Sequence, residues 1–256
     1  MDEGKILYFY LKKGDSYKKH RWSKGRIAAA ETDMGKDGKL GCCGVPEFYL
    51  KKRGWEENRL TEELSSIIKK EKAKDYYLQP QLAHMAGIEE RLPPEVLLEK
   101  LLCQVPCLEY LIYIGWEGGQ IEGALDEEQF REERQMMLYL LEPYLARINH
   151  FILVTDHWDG YEEFTEYIYE EYGIPASGVP ELERQYGKNG KTVILDARKS
   201  YKIPCEQMPQ RAAYVDFWSV EEKWEQIEGM RRDVKYISAV KFLDTLVKNG
   251  YNTIGN

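Results

Sequence analysis

The chain has 256 residues, 36 of them Lys or Arg and 44 Asp or Glu, which gives a formal net charge of −8 at pH 7. An apolar fraction of 43% excludes wholesale disorder, and no apolar run approaches the ~18 residues that a membrane-spanning helix needs. The acidic start, MDEGKILYFYLKKGD, lacks the basic residues of a signal peptide, and five cysteines do not suggest a disulfide framework. We therefore expect a cytoplasmic protein without a membrane partner, and the negative charge disfavours a dedicated nucleic-acid binder.

The charge is distributed unevenly along the chain. Residues 1–75 hold 18 basic and 13 acidic side chains, whereas residues 76–256 hold 18 basic and 31 acidic ones. Glycines and lysines interrupt the apolar segments of the first part, while strand-like and helix-like stretches alternate in the second. We predict a small α+β portion over residues 1–75, which could be integral to the same domain, and an α/β domain over residues 76–256.

The N-terminal elements are predicted from short apolar segments and turn residues. The pattern clearly indicates one strand and one helix. The secondary structure of residues 26–50 is ambiguous, and their pattern is compatible with two strands around a glycine-rich turn. A further short helix begins at a proline, which is tolerated in the first helical turn. In chain order the predictions are strand Lys5–Leu11, strands Arg26–Glu31 and Glu47–Leu50 around the turn Gly35–Gly44, helix Thr61–Asp75 and helix Pro93–Gln104.

Four short apolar runs in the second part are nearly continuous rather than alternating. They are rich in β-branched or aromatic residues, a texture typical of strands buried on both faces of a parallel sheet. These runs are Leu108–Gly115, Phe151–Asp156, Thr192–Ala197 and Ala212–Phe217.

Helical periodicity separates and follows these strands. Strand, helix, strand is the βαβ rhythm, which favours a three-layer, Rossmann-like fold with a mainly parallel sheet and helices on both faces. Pro143 should kink or end the first of these helices, and Ser219 with Glu222 is expected to cap the third. The helices are predicted over residues 126–148, 159–173 and 219–227, and a last one over Tyr236–Lys248.

Three of the four strands end near an aspartate. In open parallel sheets, ligands bind outside the carboxyl ends of the strands, and Mg²⁺ prefers carboxylate oxygens together with water and a substrate phosphate. Asp156, Asp196 and Asp216 are therefore predicted as ligands of a divalent metal, and they are also predicted as catalytic residues together with His157.

Aromatic and glycine residues follow the same strand ends. Tryptophans could stack a base or a sugar ring, and a glycine-rich loop after the first strand could approach a phosphate. That loop has the spacing G-x-x-G-G-x-x-x-G rather than a dinucleotide fingerprint, and it carries Glu117 and Glu122, so a surface loop is the competing interpretation. The predicted substrate-binding residues are Trp116, Gly118, Gly119, Trp158, Arg198 and Trp218.

Two functions remain open at this point. The first is a divalent-metal-dependent enzyme that acts on a phosphorylated or nucleotide-like small molecule. The alternative interpretation of the three aspartates is structural, because an Asp side chain at a strand end often accepts hydrogen bonds from the amides of the following turn. The second is a non-catalytic protein that self-associates or binds a protein partner. The composition of 19 tyrosines suits interfaces, and a self-repelling ridge of Glu162, Glu166 and Glu170 could pair with the basic residues 12–26.

The cysteines give a weaker signal. Cys42 and Cys43 lie between glycines and could form a reactive thiol site, but the four histidines supply no partner pattern. Cys103 and Cys107 lack the C-x-x-C spacing of zinc and thioredoxin sites.

Overall fold

A computed structural model describes residues 5–12, 28–33, 39–46, 56–73, 75–88, 94–115, 138–155, 161–198, 203–243 and 245. The chain divides into two compact units, the first formed by Met1–Pro93 with Leu243–Asn256 and the second by Pro94–Phe242. The change in charge near residue 75 falls within the first unit.

The first unit contains a four-stranded sheet. Its strands are β1 (Lys5–Lys12), β2 (Ala28–Asp33), β3 (Lys39–Pro46) and β4 (Asp75–Leu78), and their order is β2-β3-β1-β4. β1 runs parallel to both β3 and β4, while β2 is antiparallel to β3. Helices α1 (Glu56–Lys70) and α2 (Pro80–Ala86) supply Leu60, Leu64 and Leu82 to the core beneath this sheet.

The predicted strand at Lys5–Leu11 and the helix after Thr61 are confirmed by β1 and α1. The predicted turn at Gly35–Gly44 is wrong for residues 39–44, which belong to β3. The weak strand preference of glycine is overcome here because β3 pairs with a neighbour on each side. Cys42 and Cys43 are buried in this strand, as is typical of packing cysteines. The predicted strand Glu47–Leu50 lies outside the described residues.

The second unit contains a six-stranded sheet in which all neighbours are parallel. Helices flank it, so the prediction of an α/β fold with a mainly parallel sheet is confirmed. The helices are α3 (Pro94–Leu102), residues 138–145, α4 (Glu162–Tyr172), α5 (Glu221–Met230) and a segment that begins at residue 239. The strands are β5 (Tyr110–Ile114), β6 (His150–Val154), β7 (Ala176–Val179), β8 (Thr192–Asp196), β9 (Ala213–Asp216) and β10 (Lys235–Ser238), in the order β10-β9-β8-β5-β6-β7.

The four predicted strands of this sheet are confirmed, and their continuous apolar runs have the expected cause. Neighbouring residues of β5 and of β8 are both buried, because each of these central strands is covered on both faces. α4 ends as predicted at Gly173, whose φ of 67° is left-handed and whose amide donates to the Tyr169 carbonyl at 2.9 Å.

Two strands and two helix starts differ from the sequence prediction. β7 was not predicted, and the helix predicted from Tyr236 is wrong over Tyr236–Ser238, which forms β10 beside β9. The spacing of Ile237, Val240 and Leu243 suits a helix, but pairing of the first of these residues with β9 overrides that local pattern. α5 has Val220 rather than Ser219 at its N-cap.

Among the described residues, the longest apolar helical stretch falls short of what is needed to cross a bilayer.

The close packing before β8 gives a stability prediction. A Cβ at Gly187 would lie 2.4 Å from Thr192 Oγ1 and 2.8 Å from Pro209 Cγ, and Thr192 is buried and donates to the Lys188 carbonyl. Gly187→Ala should therefore lower the free energy of unfolding by about 1–3 kcal/mol in urea denaturation.

Gly229→Ala is the matched control, because a Cβ there meets nothing within 4 Å and the residue lies in α5. This variant should be neutral or more stable by up to about 1 kcal/mol. Equal effects of the two substitutions would contradict the packing argument.

Candidate functional site

Asp196 and Asp216 lie side by side at the carboxyl edge of the six-stranded sheet. They end the neighbouring strands β8 and β9, where they are register partners, and both are fully buried. The strand order thus brings together two of the three aspartates that the sequence singled out.

A lysine ammonium lies between these two carboxylates. Lys223 Nζ is 3.2 Å from Asp196 Oδ2 and 3.3 Å from Asp216 Oδ1, and it donates to the Arg198 carbonyl at 2.6 Å. Its side chain has 0% exposure. Lys223 reaches this position because it shares the inward face of α5 with Ile227, one turn further on.

Arg198 closes the other side of Asp196. Its Nε and Nη2 atoms lie 3.0 Å and 3.1 Å from the two carboxylate oxygens of Asp196, and its amide donates to Oδ1 at 2.9 Å. This is a bidentate pair, the stronger kind of charge-assisted contact. The Tyr214 hydroxyl also donates to Asp196 Oδ2, and burial, followed by the nearby charge of Asp196, raises the pKa of Tyr214 well above its usual value.

Asp216 is held by the start of α5 and by β10. The amides of Val220 and Trp218 donate to its carboxylate at 2.6 Å and 3.2 Å, and the Tyr236 hydroxyl donates at 2.7 Å. Burial raises the pKa of Asp216, an effect that the Lys223 charge opposes. Asp216 therefore anchors the start of α5 by accepting the amide of its N-cap residue, Val220, whereas the sequence had predicted Ser219 as the cap.

We call Asp196, Asp216, Lys223 and Arg198 the buried ion cluster. Two carboxylates face two cations, so the cluster is neutral when every member is ionised. Its carboxylate oxygens are already bound to Lys223, Arg198, two tyrosines and backbone amides, and the ammonium occupies the space between them. A divalent cation at Asp196 and Asp216 would have to displace this ammonium.

The third predicted metal ligand, Asp156, lies outside the described residues, and so does its neighbour His157. β6, which precedes Asp156, is separated from β8 by β5. Strands lie about 4.8 Å apart, so the ends of β6 and β8 are about 10 Å apart. Within the described ranges, three or more His, Cys, Asp or Glu residues nowhere form a group that could hold a metal ion. The metal site stays a prediction.

Two of the predicted substrate-binding residues adjoin the buried ion cluster. Arg198 is part of it, with a side chain that is 14% exposed. Trp218 follows β9, donates from Nε1 to the Ala197 carbonyl at 2.6 Å, and makes an edge contact with Phe217. The other predicted substrate-binding residues lie outside the described part of the chain: Trp116, Gly118, Gly119 and Trp158.

Sequence reasoning missed three members of this arrangement, Lys223, Tyr214 and Tyr236. A signal for Lys223 was present, because it lies three residues after Val220 and four before Ile227, a spacing that puts it on the same helical face as these two apolar residues. A lysine inside an apolar stripe needs a carboxylate partner. Nothing in the local sequence indicates the tyrosines, which reach the aspartates only through strand pairing.

Comparisons of the chain with protein-family models, with curated proteins and with solved structures find no match.

The buried ion cluster gives a prediction for Lys223→Met. This change keeps an unbranched side chain but leaves two buried carboxylates facing each other, so the free energy of unfolding at pH 7 should fall by about 3–5 kcal/mol. Loss of the ammonium should raise the pKa of Asp216 further. A folded state with a raised carboxyl pKa binds more protons than the unfolded state, so its stability increases as pH falls. The deficit should therefore be smaller at pH 5 than at pH 7.

Lys191→Met is the control for this measurement. Lys191 pairs with Glu109 at 2.8 Å, but its side chain is 50% exposed, so solvent screens the pair and its loss should change stability little at either pH. Denaturant unfolding of both variants at the two pH values tests the argument. A Lys223→Met deficit that grows towards pH 5 would contradict it.

Proposed function

We propose that this protein binds a phosphorylated or nucleotide-like small molecule at the carboxyl edge of its six-stranded sheet, between β5 and β8, and acts on it as an enzyme. The observation that carries the proposal is the strand order. Counted within the sheet, it is 3-2-1-4-5-6, so the direction of winding reverses between β5 and β8. At such a switch point neighbouring crossovers leave on opposite sides and open a crevice, where ligands of open α/β sheets bind.

The residues around this crevice are held firmly. Ile114, the last residue of β5, is the register partner of Asp196, and its carbonyl accepts the Ala197 amide at 3.1 Å. Arg198 follows, fixed to Asp196 by three hydrogen bonds. Side chains that are already fixed around the crevice favour ligand binding, because they lose little conformational entropy when the ligand binds.

Charge at this edge also supports an anionic ligand. The sequence alone suggested an acidic cluster, which would repel phosphate in the absence of a metal. Lys223 and Arg198 instead balance Asp196 and Asp216, so this part of the edge carries no excess negative charge. The sequence predicted catalysis by Asp156, His157, Asp196 and Asp216, with a divalent metal on the three aspartates. In the present proposal Asp196 and Asp216 instead hold the wall of the crevice in place. Asp156 and His157 are proposed as the catalytic residues, with Asp156 and the ligand's phosphates as ligands of a divalent metal.

A thermal-shift panel of ADP, AMP, NAD and sugar phosphates, each with and without Mg²⁺, tests the proposal. A ligand at about 100 times its Kd adds ~2.7 kcal/mol to stability, or about 5–10 °C in Tm for a unit of this size. Ala197→Asp places a carboxylate on the wall of the crevice and should abolish the shift.

The control is Ala146→Asp, which adds the same charge at an exposed position before β6, at the amino edge of the sheet. It should leave the ligand shift intact. Absence of stabilisation by every member of the panel, or equal loss of the shift in both variants, would overturn the proposed site.

A second candidate function, binding of a basic protein segment, is favoured by an exposed surface on α4. Tyr167 and Tyr169 are 38% and 63% exposed, and the glutamates before and after them along the helix are exposed as well. The helix carries no Lys or Arg. Tyrosines that offer apolar area among charges are typical of interfaces. The glutamates of this surface are Glu162, Glu163, Glu166, Glu170 and Glu171.

A synthetic peptide of residues 12–26 of this chain, which is rich in Lys and Arg, is a suitable probe for this surface. Fluorescence anisotropy should show binding that weakens as salt rises, because exposed charge pairs are screened. Tyr169→Ser should reduce the affinity, whereas Met230→Ser, which removes an exposed apolar side chain of α5, should not. Binding that is insensitive to both salt and Tyr169→Ser would remove this candidate.

A further inference from the structure

A cleft of about 230 Å³ opens at the amino edge of the six-stranded sheet. It is lined by Arg184, Gln210, Arg211, Arg231 and Asp233. Arg211 and Asp233 each lie two residues before a strand, β9 and β10 respectively. Because these strands are parallel, the cleft is at the edge opposite to Asp196 and Asp216, and it is separate from the site proposed above.

Arg231 forms the fixed wall of this cleft. Its Nη1 atom donates to the carbonyls of Cys205 and Met208 at 2.6 Å and 2.8 Å, and its Nη2 atom donates to the Pro209 carbonyl at 3.2 Å. The remaining contacts go to Asp233, at 2.8 Å from Nε and 3.0 Å from Nη2. This guanidinium is therefore saturated, and its task is to hold the loop before β9 against the end of α5.

Asp233 is equally occupied. Besides Arg231, its carboxylate accepts the Arg211 amide at 3.0 Å. The Arg231 guanidinium holds the pKa of Asp233 well below its usual range, so this carboxylate is ionised at neutral pH and its charge is balanced by Arg231.

Two guanidinium groups remain in the lining. Arg184 uses Nε to donate to the Glu206 carbonyl. The Arg211 side chain makes no hydrogen bond or ion pair with any residue that the structure describes. Arg211 also has a φ of 54°, a left-handed conformation that is unfavourable for arginine. Such backbone strain persists where surrounding contacts enforce it, and here the Asp233 carboxylate fixes the Arg211 amide.

The cleft is electropositive within an acidic protein. Three arginines face one carboxylate, whereas the whole chain carries −8. Guanidinium groups bind phosphate oxygens through paired N–H donors. The volume is below the ~300–1,000 Å³ of pockets that hold drug-sized molecules, which suits one or two phosphate groups rather than a whole nucleotide.

We propose that this cleft is a second ligand site that binds the phosphate or diphosphate group of a small anion through Arg184 and Arg211. Arg231 and Asp233 are positioning residues that keep its wall in place. The source of the group, an inorganic anion or the phosphate end of a larger metabolite, is distinguished by the arms of the test below.

Isothermal titration with inorganic phosphate, pyrophosphate and ADP, at matched ionic strength, measures this site. Pyrophosphate should bind, and Arg211→Asn should raise its Kd at least ~10-fold, since a charge-assisted contact is lost. Asn tolerates a left-handed φ better than arginine does, so the variant should fold. A denaturant curve checks this, and Arg184→Gln serves as a second variant that leaves the strained position untouched.

Arg232→Asn is the matched control, because it removes the same charge from an exposed arginine that does not line the cleft. It should change the Kd by less than ~2-fold, because the charge of a solvent-exposed side chain outside the lining is screened. Ala197→Asp, at the opposite edge, should leave pyrophosphate binding unchanged, which separates this site from the carboxyl-edge site. In the Ala197→Asp variant, stronger binding of ADP than of pyrophosphate would mean that the amino-edge cleft takes the phosphate end of a larger metabolite.

The proposal is overturned if pyrophosphate and phosphate do not bind, or if Arg211→Asn and Arg232→Asn weaken binding equally. It is also overturned if only ADP binds, because a site that recognises the phosphate groups alone must also bind pyrophosphate, which lacks the nucleoside.

Discussion

The ammonium of Lys223 determines how the carboxyl edge of the large sheet is built. Two aspartates end neighbouring strands, and without a cation between them their burial would be strongly unfavourable. Lys223 supplies this cation from α5, and Arg198 supplies a second one from the loop after β8. The same contacts fix the start of α5, the turn after β9 and the side of the crevice between β5 and β8. One buried charge arrangement therefore organises three segments that are separate in sequence.

The two edges of this sheet differ in what they offer to a ligand. At the carboxyl edge the charges of the buried ion cluster are paired with one another, so the described residues beside the crevice are held in fixed positions and carry no net charge. At the amino edge Arg231 and Asp233 are paired, but the guanidinium groups of Arg184 and Arg211 exceed the local negative charge. The net charge of −8 conceals this contrast. A small anion is repelled by the overall negative charge of the protein, but the electrostatic potential at the arginine-lined cleft favours its binding.

In the six-stranded sheet, the sequence predicted the central strands well and the edge strands poorly. β5, β6, β8 and β9 have continuous apolar runs because both of their faces are covered, and such runs are visible without any tertiary information. β7, with the sequence ASGV, has no such run, and the spacing around Ile237 imitates a helix. The strand-end aspartates were also visible, but their partners were not. Strand order decides that Asp196 meets Asp216, and this order depends on long-range pairing that no local pattern encodes.

The Val220 amide, which donates to Asp216 Oδ2 at 2.6 Å, has a consequence for how the molecule opens. If the first turn of α5 frayed, Asp216 would lose both its cap contact and the nearby ammonium while it was still enclosed by the sheet. Fraying of that turn is therefore coupled to separation of β8 and β9. Helix ends are usually the first parts of a helix to exchange their amide protons, but we expect this one to exchange together with the cooperative unit formed by β8 and β9.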